Sequence, residues 1–124
     1  MATSSTDVLI VGAGPVGLLL AGQLYRFGVR CRIVDAKEGT TAFSKAMAVH
    51  ARTLELFDTF DIADEAISRG VIVHGLRLIG SGNNLASLNF DEIDSRYPFL
   101  LALEQSETER LLNEYLTQQG GDVE

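Results

Sequence analysis

The feature that most constrains this chain is a glycine pattern, Gly12-Ala13-Gly14-Pro15-Val16-Gly17, which directly follows a short apolar run. That run, Val8–Val11, is mostly β-branched and uncharged, as is typical of a strand buried on both faces of a parallel sheet. Pro15 suits the first turn of a helix because the N–H that it lacks would have no intrahelical partner there. The sequence therefore predicts a strand, a tight turn and a helix in immediate succession.

The three glycines of this pattern each have a separate physical task. Gly12 permits the tight turn out of the strand, Gly14 lacks the Cβ that would keep a pyrophosphate away from the backbone, and Gly17 lets the helix lie against the strand. The N–H groups at the helix start, near Val16, then face an anion with the positive end of the helix dipole behind them. All six residues of the pattern are therefore predicted to bind the phosphates of a dinucleotide.

The predicted helix, residues 15–27, is apolar on nearly all sides, so we expect it to be buried. Gly28 is placed to take the left-handed conformation that ends a helix. An alternating apolar stretch, residues 29–34, predicts a second strand that stops at Asp35. Strand, helix and strand together make one βαβ unit.

Asp35 lies 18 residues beyond Gly17, close to the separation at which an acidic residue accepts hydrogen bonds from a ribose. We expect Asp35, with Ala36 beside it, to hold the adenosine end of the dinucleotide. A carboxylate at this position disfavours a 2′-phosphate, so NADP would fit this site poorly. The physical argument leaves both FAD and NAD open.

Beyond Asp35 the chain departs from a simple parallel pattern. It predicts a loop at 36–43, an amphipathic helix within 49–60, a shorter helix at 62–69, a hairpin that turns at 80–84, and an apolar run at 99–103. A last helix should begin near Ser106, because Ser106 and Glu109 have the spacing of a capping box. It should stop at Gly120 and Gly121.

The last three residues, 122–124, resemble the opening of a further strand, so we expect the chain to be the N-terminal part of a longer protein. The predicted fold class is α/β: a Rossmann-like βαβ unit with an added β-hairpin and further helices, on an incomplete sheet with bare apolar edges. Residues 1–6 are predicted to be a disordered lead-in and 7–124 one domain. Residues 71–104 are expected to lead into a substrate-domain sheet.

Composition removes several classes of function. With 17 acidic and 10 basic residues the formal net charge is −7, which repels phosphate backbones and makes nucleic acid an unlikely partner. Cys31 is the only cysteine, which excludes an internal disulfide and a multi-cysteine metal site, and we expect it to be a small core residue. The uncharged run 8–25 is interrupted by glycines and a proline, so we predict no membrane segment and a cytoplasmic protein.

Three later segments resemble the FAD-dependent aromatic hydroxylases of the p-hydroxybenzoate and phenol hydroxylase family. They are Ser44-Lys45-Ala46, Arg52-Thr53-Leu54-Glu55, and the helix led by Gln105. The glycine pattern and Asp35 precede them in the order typical of that family, and the resemblance covers residues 7–124.

This resemblance implies that the dinucleotide is FAD. By position, Arg52 would approach the FAD from a helix start, and Gln105 would hydrogen-bond near the ribityl chain or the pyrophosphate. Lys45 stands where many relatives have arginine, so it would bring charge to the cofactor site without the bidentate fork of a guanidinium.

The resemblance also implies an activity for the parent protein. NADPH or NADH would reduce the FAD, and one oxygen atom would be inserted into a phenolic or polyketide-like aromatic substrate. This chain would supply the adenine half of the cofactor site, with no catalytic residue and no metal ligand, and would not be active alone. Two alternatives remain open from the sequence: a non-catalytic fragment that binds FAD or ADP, and a fragment of an NAD-dependent dehydrogenase.

Overall fold

The computed structural model describes residues 5–39 and 48–124, which form a mixed α/β fold. Its elements in chain order are β1 Val8–Val11, α1 Pro15–Arg26, β2 Cys31–Val34, β3 Ala48–Val49, α2 Ala51–Asp58, α3 Ala63–Arg69, β4 Val71–Val73, β5 Gly75–Gly80, β6 Asn83–Asn89, β7 Leu100–Ala102 and α4 Gln105–Gln118. The described residues divide into two units, one of 5–39 with 105–124 and one of 48–104.

The first unit contains the predicted βαβ motif. Strands β1 and β2 pair in parallel, with Ile10 opposite Ile33, and α1 connects them. Val123 forms a parallel bridge to Ile33, and the Glu124 N–H donates to the Ile33 carbonyl at 2.9 Å. The strand that the sequence predicts after Gly121 is therefore present as a single parallel bridge beside β2.

The core of this unit forms where α1 and α4 pack together and α1 covers the parallel strands. Ile10, Leu18 and Ile33 are buried there, as is an apolar stripe on α4 that includes Leu112 and Leu116. Each fully buried side chain of this size contributes about 1.5–3 kcal/mol relative to an exposed one. Cys31 is also buried, as expected of a small core residue, and burial raises the pKa of its thiol.

Two burial predictions are wrong. Strand β1 is covered on one face only, because α1 packs against Ile10 whereas Leu9 and Val11 point the other way and are exposed. Helix α1 is not buried all round: Val16 and Leu20 are exposed. An apolar sequence predicts that a surface will be covered but does not show which residues cover it, and no described residue covers these.

The second unit holds α2 and α3 beside an antiparallel sheet in the order β3-β7-β4. The predicted helices are confirmed, with α3 ending at Gly70. Leu54 and Phe57 of α2 and Leu101 of β7 are fully buried and form its core.

The predicted hairpin is also confirmed. Strands β5 and β6 pair antiparallel, and both turn residues, Ser81 and Gly82, have positive φ, as a type I′ turn requires. Nearly every residue of the two strands is exposed. Within the described residues, no helix is both long enough and apolar enough to cross a membrane.

Candidate functional site

The glycine turn between β1 and α1 has the geometry that the sequence predicts. Gly12 has φ +108°, a conformation that residues with a side chain rarely adopt. A Cβ on Gly17 would lie 1.9 Å from the Gly12 carbonyl oxygen, so only glycine lets the helix start this close to the strand end. A Cβ on Gly14 would meet no atom within 4 Å, so the space in front of Gly14 is open.

The N-terminus of α1 is arranged to receive an anion. Gly14 is the N-cap residue, Pro15 follows it, and no side chain caps the helix. The first turn carries no acidic residue, and Val16 is exposed beside it. The N–H groups and the positive end of the helix dipole therefore face the open space at Gly14.

Asp35 joins the end of β2 to the glycine turn. Its Oδ2 accepts a hydrogen bond from the Ala13 N–H at 2.6 Å, and its Oδ1 accepts one from the Lys37 N–H at 2.8 Å. These two bonds, that from Lys37 first, hold the pKa of Asp35 below its ordinary value. Asp35 is thus an ionised acceptor at a fixed position, and each oxygen keeps capacity for a further bond. Ala36, next to it, is exposed.

A pocket of about 340 Å³ opens beside Asp35. The glycine turn contributes Ala13 to its lining, the segment after β2 contributes Lys37, and α4 contributes Glu109 and Asn113. The pocket therefore lies where the adenosine end of a dinucleotide would follow the phosphates, next to the carboxylate expected to bind its ribose.

Gln105 is tied to this pocket through Glu109. The Gln105 Nε2 donates to Glu109 Oε1 at 2.9 Å, and Glu109 Oε2 pairs with Lys37 Nζ at 3.3 Å. The Glu109 carboxylate is almost fully buried, at 1% exposure. Bonded contacts thus run from the glycine turn through Asp35, Lys37 and Glu109 to Gln105.

The two remaining predicted site residues are Arg52 and Lys45. Arg52 belongs to the second unit, where its exposed guanidinium donates to Glu55 Oε2 at 2.8 Å. Ser95 donates to the other oxygen of Glu55 at 2.8 Å, and these two bonds, that from Arg52 first, lower the pKa of Glu55. Lys45 lies outside the described residues. The cofactor contacts expected of Arg52 and Lys45 remain predictions.

Sequence reasoning missed Lys37 and Glu109. It read Glu109 as half of a capping box, but α4 begins at Gln105 and the carboxylate instead reaches Lys37 and Gln105. A usable signal was present, because Glu109 stands three residues before Leu112 and seven before Leu116, on the apolar face of the helix. A carboxylate on such a face is rarely buried unless it is paired.

Comparisons with known proteins agree with this geometry. Residues 5–124 match the family described as FAD binding domain. The chain is 41% identical over 120 residues to the 6-methylpretetramide 4-monooxygenase of Streptomyces rimosus, a match that covers 95% of the chain and 22% of that protein. The resemblance to FAD-dependent aromatic hydroxylases is thereby confirmed.

Solved structures give the same result. The p-nitrophenol 4-monooxygenase of Pseudomonas putida superposes with a TM-score of 0.87 at 28% identity, over 100% of this chain and 32% of that one. Aklavinone-11 hydroxylase, in complex with FAD and aklavinone, has a TM-score of 0.80 at 29% identity, over 100% of this chain and 26% of that one. These matches confirm the α/β fold class and favour FAD over NAD, although the chain spans less than a third of each relative.

Proposed function

Because the chain belongs to the FAD binding domain family over residues 5–124, we propose that it forms part of the FAD site of a flavin-dependent monooxygenase. The substrates of the whole protein are phenolic or polyketide-like aromatic compounds, and NADPH or NADH is its electron donor. This chain contributes the half of the site that holds the pyrophosphate and the adenosine.

The observation that carries this proposal is the combination of open space at Gly14 with a preset carboxylate at Asp35. Gly14 leaves room for a pyrophosphate against the uncapped start of α1. Asp35, held by the Ala13 and Lys37 N–H groups and part of the pocket lining, presents acceptors for the ribose hydroxyls. The residues present therefore fit the ADP part of FAD.

This fit separates the role of the flavin from the role of the protein. When bound, the flavin supplies the electron transfer and the oxygen activation. The chain's own residues bind and orient: the α1 N-terminus neutralises phosphate charge, Asp35 fixes the ribose, and Gln105 holds Glu109 at the pocket wall. No acid, base or nucleophile is assigned to the described residues.

The substrate class rests on the relatives. Three of the proteins that the chain matches are named for a pretetramide, for p-nitrophenol and for aklavinone. p-Nitrophenol is a phenol, and the other two names are those of fused-ring polyketides, which gives the two substrate classes of the proposal.

The proposal is tested by titrating the complete, FAD-free protein with FAD and with NAD, using flavin fluorescence and calorimetry. We expect FAD to bind and NAD to compete weakly. The Gly14→Ala variant should fold normally, because its Cβ meets no atom within 4 Å, yet bind FAD at least about tenfold more weakly, because the methyl group occupies the space of the pyrophosphate. Tighter binding of NAD than FAD, or unchanged FAD affinity in Gly14→Ala, would contradict the proposal.

A further inference from the structure

The charges that line the pocket beside Asp35 are unequal. Among the described lining residues, four are acidic and one, Lys37, is basic. The acidic residues are Asp35, Glu38, Glu109 and Glu124. Among these described residues, Lys37 is the side-chain cation that a phosphate in the pocket could contact.

Lys37 is already engaged. Its Nζ lies 3.3 Å from Glu109 Oε2, and the Lys37 side chain is 37% exposed whereas Glu109 is 1% exposed. The Gln105 Nε2 fixes the other Glu109 oxygen at 2.9 Å. Since a buried carboxylate is costly without a partner, the ammonium is held on Glu109 more firmly than a surface pair would hold it.

The position of Lys37 places its ion pair with Glu109 close to where the ribose of the ligand would bind. The backbone N–H of Lys37 donates to Asp35 Oδ1 at 2.8 Å, so its side chain starts beside the carboxylate that faces the ribose. A group attached to the ribose 2′-oxygen would enter the pocket next to both residues. If the ammonium were free it could pair with a 2′-phosphate there, as basic residues do in NADP sites.

We propose that the buried Glu109 is a specificity-determining residue of this site. By holding the Lys37 ammonium, it leaves the pocket without an available side-chain cation among its described lining residues, so that an adenosine with a free 2′-hydroxyl is accepted and a 2′-phosphorylated adenosine is rejected. The inference rests on the proposed function, because it assumes that Asp35 faces the adenosine ribose.

The test measures how well two nucleotides displace FAD from the complete protein. ADP and 2′,5′-ADP share the adenosine, but 2′,5′-ADP has a phosphate on the ribose 2′-oxygen and one phosphate instead of two at the 5′-oxygen. The difference at the 5′-oxygen is the same for every variant, so a change in the ratio of their affinities from one variant to another reports on the 2′-phosphate. Displacement of FAD, followed by flavin fluorescence, restricts the readout to this site and excludes binding elsewhere. In the wild-type protein we expect ADP to displace FAD and 2′,5′-ADP to be much the weaker competitor.

The Glu109→Gln variant should change that ratio. Glutamine has the same size and can still accept from Gln105 or Lys37, but it lacks the charge that holds the ammonium. We expect the affinity of 2′,5′-ADP relative to ADP to rise about tenfold, the size of one charge-assisted hydrogen bond. Because the value is a ratio, a general weakening of the site cancels from it.

Two control variants distinguish release of the Lys37 ammonium from a general decrease in the negative charge of the pocket. Glu38→Gln removes the same charge from the lining of the same pocket, but Glu38 is exposed rather than buried against Lys37, so its ratio should change less than about twofold. In the Lys37→Gln/Glu109→Gln double variant the gain should disappear, because the ammonium is gone. A gain of equal size in Glu38→Gln, or one that persists in the double variant, would overturn the role of the pair.

The Lys37→Gln/Glu109→Gln double variant keeps the inference testable if Glu109→Gln does not fold, because it leaves no unpaired charge in the pocket. Since Glu109 holds the wild-type ammonium, the double variant should have nearly the wild-type ratio; a marked loss of 2′,5′-ADP affinity relative to ADP would show that Lys37 was available in the wild-type protein and would reject the proposal. Failure of ADP to displace FAD in the wild-type protein would instead count against the proposed function. Normal displacement by ADP with no response to Glu109→Gln would count against this inference alone.

Discussion

The parallel pair β1–β2 and the hairpin β5–β6 are both two-stranded, yet the sequence builds them in opposite ways. The parallel strands need a crossover helix, and their partners lie 23 residues apart, as Ile10 and Ile33 do. The hairpin strands need only the turn at Ser81 and Gly82. The first pair buries Ile33 at 1% exposure, whereas Leu88 of the hairpin is 60% exposed.

This contrast shows which part of the chain has its backbone held in place by packing. The parallel pair carries the glycine turn, Asp35 and the pocket, and its backbone is fixed by α1. The hairpin is held by backbone pairing and a favourable turn, and such a unit is marginal by itself in water. A binding site needs the first kind of support, because its groups must stay in position before the ligand arrives.

The largest expected effect sharpens this difference in burial. Ile33→Ala removes a fully buried side chain that lies between Val123 and Ile10 in the sheet, so we expect a loss of about 2–5 kcal/mol in the free energy of unfolding. Leu88→Ala makes a comparable truncation in the hairpin and should cost less than about 1 kcal/mol. Urea unfolding followed by circular dichroism measures both.

Equal losses in the two variants would break the comparison. They would show that the apolar face of the hairpin is covered in the complete protein, and that exposure in the described residues understates its burial.

The next effect concerns two glycines at which an added Cβ is crowded. In Gly17→Ala the methyl group would lie 1.9 Å from the Gly12 carbonyl, a backbone atom that moves only with the turn, so we expect a loss of about 1–3 kcal/mol. In Gly80→Ala the nearest atom, 2.6 Å away, is the end of the exposed Leu85 side chain. That side chain can rotate away, so the cost should be less than about 1 kcal/mol.

Thermal and urea unfolding of both variants checks this prediction. If Gly80→Ala were the more damaging of the two, the hairpin rather than the glycine turn would be the rigid region.

The sequence predicted the regions where local chemistry decides the structure. Gly12 and the Ser81-Gly82 turn have backbone conformations that few residues can take, and Gly17 leaves no room for a Cβ against the turn before it, so their roles could be predicted without knowledge of distant segments. The βαβ unit followed from the same signals. Asp35 was correctly placed at the end of β2, though its bonds to Ala13 and Lys37 were not foreseen.

What the sequence missed depends on contacts between distant segments. The pairing of Lys37 with Glu109 joins residues 72 positions apart, and a capping-box spacing explained Glu109 locally. The exposure of Leu9 and Val16 was missed for the same reason, since hydrophobicity does not identify what covers a surface. Local rules therefore predicted the backbone of the site better than its side-chain contacts.

The smallest expected effect tests whether Asp35 stabilises the glycine turn in the absence of ligand. Its pKa lies below the ordinary value of 3.8 because the Lys37 and Ala13 N–H groups bond to the carboxylate. A carboxylate with a lowered folded-state pKa stabilises the fold fully above its unfolded-state pKa, and this contribution disappears as the pH falls through the folded-state value. Asp35→Asn lacks this ionisation, so the wild-type advantage in unfolding free energy should be constant near neutral pH and shrink below about pH 4. Urea unfolding of both proteins from about pH 6 to about pH 3 measures this difference in unfolding free energy. A difference that did not vary with pH would mean that the two N–H bonds order the turn without favouring the ionised carboxylate.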